Sequence, residues 1–216
     1  MTVTFVLTDI EGSTRLWEDH PQAMGGALLR HDRLVLQAIG DHAGRLVKTK
    51  GEGDSTFSVF DSPVSAVAAA LDLQQLLAAE PWPLPAPLAA RVAVHAGDVQ
   101  ERDADFYGPV VNRCARLRAI GHGGQVLLSA AAAELVRDRL PAGAHLRDLG
   151  RHRLKDLAAP EQVFQLVHPA LGDMFPPLNS LEAQPNNLPV QLTNFIGRDT
   201  ELAQLRRQLS AHRLVT

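Results

Sequence analysis

The stretch that decides the fold is residues 3–17, VTFVLTDIEGSTRLW. Apolar and β-branched residues run from Val3 to Leu7, which is typical of a buried strand. The strand ends at Asp9, and small residues follow at 12–14. A carboxylate at the edge of a core costs free energy unless it is paired or holds a metal ion. Asp9 is therefore a candidate metal ligand, and a helix N-cap or turn residue is an equally open interpretation.

Composition describes an ordinary globular protein. The chain has 216 residues, is 45% hydrophobic and carries a formal net charge of −3, which argues against a surface dominated by direct nucleic-acid binding. No apolar run approaches the roughly 20 residues of a membrane span, and the N-terminus lacks the features of a signal peptide. Cys114 is the single cysteine, so an intrachain disulfide is impossible. We expect a cytoplasmic protein with no membrane partner.

Strands and helices alternate irregularly along the chain. Ser13 and Thr14 can cap a helix after the first strand, and the apolar spacing from Pro21 to His42 predicts an amphipathic helix. Residues 44–60 predict a hairpin with a Gly-rich turn, and Ser62 with Pro63 predicts a helix start. Further elements are expected as a strand over 89–100, a helix from about Pro109, a strand over 123–129, a helix capped by Ser129, and edge strands over 145–157 and 162–168. The pattern predicts an α+β or α/β fold around one mixed sheet.

A second carboxylate, Asp54, lies in the turn of the predicted hairpin. Carboxylates on neighbouring strands can converge on divalent cations, and Mg²⁺ prefers oxygen ligands from one or two carboxylates together with substrate phosphates. Two such ions about 3.5–4 Å apart can stabilise the attacking and leaving oxygens of an in-line displacement. Taken alone, Asp54 is more typical of a turn residue.

Asn112 and Arg116 are four residues apart in the predicted helix that begins near Pro109. This spacing places them on one helix face. An amide and a guanidinium together suit a sugar and a phosphate, because arginine offers a fork of donors to phosphate oxygens. For an isolated pair of this kind, a bond within the helix and a solvated surface charge are the commoner roles.

Three segments together resemble class III adenylate/guanylate cyclase catalytic domains: FVLTDIEGST (5–14), GEGDSTFSVF (51–60) and DFYGPVVNRCARL (105–117). The bacterial type fused to multidomain ATPase/LuxR-like transcriptional regulators is the most similar. The resemblance covers roughly residues 2–167 and includes the ending LGRHRLKDLAAPEQVFQL (149–166). It implies a nucleotide cyclase fold of class α+β, in which a ferredoxin-like βαββαβ core with extra strands and helices forms a mixed sheet flanked by helices.

The resemblance also implies roles for individual residues. Asp9 and Asp54 match the two metal-binding aspartates, and Ile10 matches a position whose backbone carbonyl reaches a metal ion. Lys50 and Asp105 match the pair that selects the base. A lysine donor and an aspartate acceptor complement the N1 and N6 edge of adenine.

Two further matches concern the sugar and the phosphate. Asn112 matches the amide that positions the ribose, and Arg116 matches the arginine that stabilises charge at the transferring phosphorus. The implied enzyme is an adenylate cyclase, a lyase that converts ATP to 3′,5′-cyclic AMP and pyrophosphate. It uses two Mg²⁺ or Mn²⁺ ions per active site, and its sites are shared across a head-to-tail homodimer.

The hairpin and the helix each depart from the usual family pattern. KTKGEGDS (48–55) is longer than usual, and a different alignment assigns Lys48 to the base and Glu52 to the metal. We prefer Lys50 and Asp54, because the following residues then continue into the strand in register. Cys114 stands where the family usually has a small residue, and a buried small hydrophobe is its expected role.

Three alternative functions stay open, and the chain is expected to divide into three segments. Besides an adenylate cyclase, the chain could be a catalytically weak cyclase-like module that senses nucleotide or dimerises, or a guanylate cyclase, which Lys50 and Asp105 disfavour. Residues 1–168 would form the cyclase domain and 169–191 a linker rich in Pro and Asn. Residues 192–216 resemble the start of a regulatory ATPase module without its phosphate-binding loop, and a plain C-terminal helix is the alternative.

Overall fold

The computed structural model describes residues 2–47, 53–102, 105–157 and 159–181. The chain divides into two units, Met1–Gln184 and Pro185–Thr216, and the described residues all belong to the first. No helix in this described part is both long enough and apolar enough to cross a bilayer.

The first unit contains nine described strands and five described helices. The strands are β1 (Thr2–Ile10), β2 (Arg45–Val47), β3 (Thr56–Phe60), β4 (Ala90–Asp98), β5 (Gln100–Arg102), β6 (Asp105–Tyr107), β7 (Val126–Ser129), β8 (His145–His152) and β9 (Glu161–Val167). The helices are α1 (Ser13–Asp19), α2 (Pro21–Asp41), α3 (Pro63–Ala79), α4 (Pro109–Ile120) and α5 (Ala130–Val136).

Seven of these strands form one mixed sheet in the order β2-β3-β1-β4-β7-β9-β8, and β5 pairs with β6 in a separate ribbon. The β4–β7 pair is parallel, and the other pairs in the large sheet are antiparallel. Strands β1 to β4 with α2 and α3 form the βαββαβ unit, with strand order β4-β1-β3-β2. The predicted α+β fold is confirmed.

Strand β1 is covered on both faces, and its side chains alternate between two cores. Val3, Phe5 and Leu7 pack in the core that contains Leu117 of α4. Val6 packs on the other face in the core formed with α2, α3 and α5. This period of two explains why the first strand is a nearly continuous apolar run rather than an alternation of apolar and polar residues.

The helix starts follow local chemistry, with one exception. The Ser62 Oγ accepts a hydrogen bond from the Ser65 N–H at 3.3 Å, and the Ser129 Oγ accepts one from the Ala132 N–H at 3.3 Å, so both predicted caps are confirmed. The predicted cap at Ser13 or Thr14 is wrong. Gly12 is the N-cap residue, with φ of +70°, and Ser13 is already the first residue of α1. A left-handed backbone at that point favours glycine, because a Cβ is strained there.

The position of the last strands differs in part from the prediction. β8 is an edge strand, as expected, but β9 lies between β7 and β8. A hairpin in which the later strand folds inward is not visible from composition. It places the buried Glu161 at the start of β9, where its carboxylate accepts a hydrogen bond from Arg113 of α4 at 2.6 Å.

Residues 169–181 contain no helix or strand, and they pack against the rest of the first unit. Leu178 is buried in the same core as Leu117, and the Asn179 N–H donates to the Ile120 carbonyl at 2.9 Å. Arg147 of β8 donates to the carboxylate of Asp173 at 3.1 Å. The predicted linker and C-terminal stub continue outside the described residues, and their boundaries stay predictions.

His95 is a buried titratable group in the centre of the sheet. It is 5% exposed on β4, and its Nδ1 lies 2.7 Å from the Ser129 Oγ on β7. Burial, and secondarily the positive charge of Arg113, lower the pKa of His95 to about 4. The folded protein therefore keeps this imidazole neutral at a pH where the unfolded chain is protonated.

The burial of neutral His95 should make the folded protein less stable as the pH is lowered. The unfolded state binds the extra proton below about pH 6.5, so the free energy of unfolding should drop by about 2 kcal/mol between pH 7.5 and pH 5 on account of this residue. Urea unfolding of the wild type and of His95→Gln at the two pH values measures the difference. Equal pH dependence in the two proteins would contradict a neutral buried His95.

Candidate active site

Asp9 lies at the end of β1, directly across from Arg91 of β4. The Arg91 Nε and Nη2 donate to the two carboxylate oxygens of Asp9 at 2.9 and 2.5 Å. The Arg118 Nε lies 3.7 Å from the Asp9 Oδ1, and the Arg118 Nη1 donates to the Thr8 carbonyl at 3.0 Å. The side chain of Asp9 is only 14% exposed, so the two guanidinium groups compensate a charge that is largely shielded from water.

Asp54 reaches the same end of the sheet from the start of β3. Its Oδ2 accepts a hydrogen bond from the backbone N–H of Ile10 at 2.8 Å. The side chain of Ile10 is buried beside Met24 and Leu88, so its backbone is held against a packed core. The structure therefore brings the carboxylate of Asp54 to the residue that follows Asp9.

The turn after β1 is hydrogen-bonded to two other segments, the residues just before β4 and the loop between α4 and β7. The Glu11 N–H donates to the Ala89 carbonyl at 2.9 Å, and the Glu11 Oε2 accepts from the Gly123 N–H at 3.1 Å. A Cβ at Gly123 would lie 2.7 Å from the Cβ of Ala89, so only glycine allows the two segments this close. These contacts fix the backbone on which Asp9 and Ile10 lie.

The donor set at this end of the sheet fits a hard divalent cation. Asp9 and Asp54 offer carboxylate oxygens, and the arginine fork uses only two of the roughly four lone-pair positions of Asp9. The described residues contain no group of three or more His, Cys, Asp or Glu side chains that could hold an ion. One or two carboxylates completed by substrate phosphates are the usual way to bind Mg²⁺. The two aspartates therefore suit an ion that arrives with a phosphorylated substrate.

A cavity of about 270 Å³ lies beside these strands, and Asn112 lines it together with Ser55 and Thr56. Phe106 of β6 contributes to its wall and is held by Phe5, with ring centroids 5.5 Å apart in an edge-to-face arrangement. Aromatic and apolar walls with an amide at the rim suit a nucleoside better than a bare phosphate.

The structure does not test the predicted base-selecting pair. The backbone of Asp105 lies in β6, next to Phe106, and its side chain lies outside what the structure describes. Lys50, and the alternatives Lys48 and Glu52, lie in the gap between 47 and 53. Their roles stay predictions.

Helix α4 carries the remaining candidates. Gly108, with φ of +118°, precedes the helix, and Asn112 and Arg116 lie one turn apart on it. Asn112 is exposed at the cavity, whereas the Arg116 Nη2 donates to the Asp156 Oδ2 at 2.7 Å. Within this chain, Arg116 is thus paired with Asp156, while Asp9 is paired with Arg91.

Sequence reasoning missed three charged residues that contact the candidates: Arg91, Arg118 and Asp156. Arg91 is found only from the β1–β4 register, which a single sequence does not give. Asp156 is forty residues away from its partner, in the turn between β8 and β9. The segment LGRHRLKDL, which contains Asp156, is part of the resemblance to the family, but the resemblance implies no role for this carboxylate.

Cys114 lies between Asn112 and Arg116 on the inward face of α4. It is fully buried, and its Sγ–H donates to the Ala93 carbonyl at 3.5 Å. Burial raises the pKa of the Cys114 thiol to about 12. The predicted burial of this residue is confirmed.

The native protein should therefore resist thiol reagents. A disulfide reagent such as DTNB at pH 8 should modify essentially no thiol in the folded protein and one thiol per chain in 8 M urea, because the reactive thiolate is absent from the buried site. Absorbance of the released thionitrobenzoate gives the stoichiometry. Complete modification within minutes without denaturant would contradict the buried position.

Comparisons with known proteins point to one family. The family model for the adenylate and guanylate cyclase catalytic domain matches residues 1–167. An uncharacterised protein of Mycobacterium tuberculosis is 45% identical over 203 residues, covering 94% of this chain and 69% of the relative. A receptor-type adenylate cyclase of Trypanosoma equiperdum is 30% identical over 206 residues, covering 76% of this chain and 44% of that protein. A Trypanosoma brucei adenylate cyclase, solved in its monomeric state, matches with a TM-score of 0.72 and 28% identity, covering 83% of this chain and 94% of that one.

Proposed function

This chain belongs to the adenylate and guanylate cyclase catalytic domain family, and we propose that it is an adenylate cyclase that converts ATP to 3′,5′-cyclic AMP and pyrophosphate. The observation that carries the proposal is the hydrogen bond from the Ile10 N–H to Asp54, which brings a second carboxylate to the end of the strand that carries Asp9. The choice of ATP over GTP rests on the residue types at Lys50 and Asp105.

In this proposal, Asp9 and Asp54 would hold two Mg²⁺ or Mn²⁺ ions together with the triphosphate, and the backbone carbonyl of Ile10 would add an oxygen ligand. When bound, the ions would lower the pKa of the ribose 3′-hydroxyl and neutralise charge on the phosphates. Arg91 lies against Asp9, and it can turn its guanidinium to phosphate oxygens when an ion takes over part of the carboxylate.

The reaction itself is an intramolecular displacement. The 3′-hydroxyl oxygen attacks the α-phosphorus, the bond from that phosphorus to the bridging oxygen breaks, and pyrophosphate leaves. Asn112 orients the ribose from the rim of the cavity, and Arg116 stabilises the charge that develops around the phosphorus in the transition state. Lys50 and Asp105 hold the N1 and N6 edge of adenine.

We further propose that two copies of the chain share each site across a two-fold, head-to-tail homodimer interface. Asp9 and Asp54 belong to an ion-binding half, and Asn112 and Arg116 belong to a ribose- and phosphate-binding half. The separate ion pairs of the two halves support this division, since Asp9 is paired with Arg91, whereas Arg116 is paired with Asp156. A closed two-fold dimer would then contain two equivalent sites.

The purified protein with Mn²⁺ should make cyclic AMP from ATP and much less cyclic GMP from GTP. Its activity per chain should rise with protein concentration, because dimerisation completes the site. Chromatographic product analysis over a concentration series measures both effects. Asp54→Ala should abolish the activity, and Asp138→Ala, at an exposed carboxylate after α5, should retain it. A preference for GTP would assign a guanylate cyclase, and the absence of both products would refute the enzymatic proposal.

Mixing two inactive variants should restore activity if the sites are shared. Asp54→Ala and Arg116→Ala chains combined in equal amounts should recover about a quarter of the wild-type activity, because half of the dimers are mixed and each has one intact site. A mixture of Asp54→Ala with Asp9→Ala is the matched control. Both of its lesions lie in the ion-binding half, so it should stay inactive.

Sedimentation must show that the chains are dimeric, and co-purification of two differently tagged variants must show that mixed dimers form in both mixtures. An inactive Asp54→Ala and Arg116→Ala mixture that is nevertheless dimeric would refute the shared site. Activity of either variant alone would contradict the assigned role of that residue.

A further inference from the structure

The ion pair between Arg116 and Asp156 joins a proposed catalytic group to a residue outside the three signature segments. The Arg116 Nη2 donates to the Asp156 Oδ2 at 2.7 Å, and the side chains are 41% and 62% exposed. An ion pair this exposed contributes at most about 1 kcal/mol to stability, because water and salt screen it. The contribution of this ion pair to stability therefore does not explain why a carboxylate lies at position 156.

The turn that carries Asp156 is firmly held on α4. Leu154 is fully buried, Leu157 is partly buried, and both pack in the core that contains Leu117, the residue after Arg116. The Leu157 N–H donates to the Leu154 carbonyl at 3.2 Å and closes the turn. Asp156 lies between these two anchors, so its position relative to Arg116 is fixed by packing.

The backbone at Asp156 is left-handed, a conformation that glycine, asparagine and aspartate adopt more readily than other residues. Its φ is +63°, and it is one of two non-glycine residues with positive φ in the described part of the chain, the other being Ala43. Glycine would adopt this conformation without strain. Neither the backbone conformation nor the stability of the exposed ion pair requires a carboxylate here, so its contact with Arg116 is the feature that needs a reason.

We propose that Asp156 is a positioning residue for the cyclase reaction, which holds the Arg116 guanidinium extended so that its remaining N–H groups meet the substrate phosphates. The proposal rests on the proposed function. Arginine has five N–H donors in a planar fork, and the hydrogen bond to Asp156 uses one terminal nitrogen. A guanidinium fixed at one edge loses less side-chain entropy when its other edge binds a phosphate. Asp156 does not contact the reacting atoms itself.

Substitutions at Asp156 separate its charge from its backbone conformation. Asp156→Asn keeps the size and the tolerance for positive φ but removes the charge. We expect its kcat for cyclic AMP formation to fall about ten- to a hundredfold while KM for ATP stays within about twofold, because orientation is lost in the transition state. Asp156→Gly should lower kcat as much, although its backbone is relaxed. Asp156→Glu, which keeps a carboxylate, should recover part of the loss.

A matched control comes from another exposed Asp–Arg pair. Arg147 donates to Asp173 at 3.1 Å with exposures of 38% and 50%, so Asp173→Asn removes a similar ion pair that involves neither Arg116 nor Asp156 and should leave kcat unchanged. Thermal unfolding should agree among wild type and all variants within about 3 °C. ¹⁵N relaxation of the Arg116 Nε–H should show a side chain ordered in wild type and mobile in Asp156→Asn, whether or not substrate is present.

Each result decides one question. A wild-type kcat in Asp156→Asn, a kcat that rises, or a loss in kcat that follows a loss in melting temperature would overturn the positioning role. A mobile Arg116 in the wild type would overturn it as well. If the wild type makes neither cyclic nucleotide, the proposed function fails, and the positioning role fails with it. A wild type that is active beside an unaffected Asp156→Asn refutes the positioning role alone.

Discussion

The pairing of Asp9 with Arg91 is the constraint on which the rest of the site depends. β1 is an inner strand of the βαββαβ unit and is covered by apolar side chains on both faces, so polar chemistry can begin only where the strand ends. A carboxylate at that place needs a partner, and the β1–β4 register supplies a guanidinium directly opposite it. The same strand end then accepts Asp54 through a backbone N–H. The burial of β1 therefore also determines where Asp9 and Asp54 lie.

Helix α4 holds the other candidate side chains in place on one face of the sheet. Its inward side is apolar and tightly packed: Leu117 and Cys114 are fully buried, and Val110 lies so near Gly97 that a Cβ on Gly97 would approach a methyl carbon of Val110 to 2.8 Å. Its outward side presents Asn112 and Arg116 one turn apart. Because the inward side fixes the helix on β1 and β4, the outward side chains are held at a constant distance from the strand ends.

Local signals predicted much of this fold from the sequence. The run before Asp9, the cap at Ser62 and the Pro109 start of α4 each depend on neighbours in the chain, and each element forms as expected. The inward position of β9 and the partnership of Asp9 with Arg91 depend on strand register, which is decided by contacts between distant segments. The candidate acids were visible because they interrupt an apolar pattern, whereas an arginine within a strand interrupts it no more than any exposed position does. The sequence favours Ser13 or Thr14 as the N-cap because hydroxyl side chains are common caps. The left-handed backbone at Gly12 instead starts the helix one residue earlier.

The two halves of the site are each neutralised within one chain. Asp9 has Arg91, and Arg116 has Asp156, so neither half leaves a full charge uncompensated. In the proposed reaction, the cations would take up the carboxylate of Asp9 in exchange for part of its contacts with Arg91, and the phosphates would bind the remaining N–H groups of Arg116 while Asp156 holds its other edge. The more buried pair at Asp9 is costlier to disturb, and the exchange is favourable there only if an ion takes up the carboxylate charge at the same time. Under the proposed function, metal and nucleotide binding would therefore depend on each other, since the ions would act on Asp9 and the phosphates on Arg116.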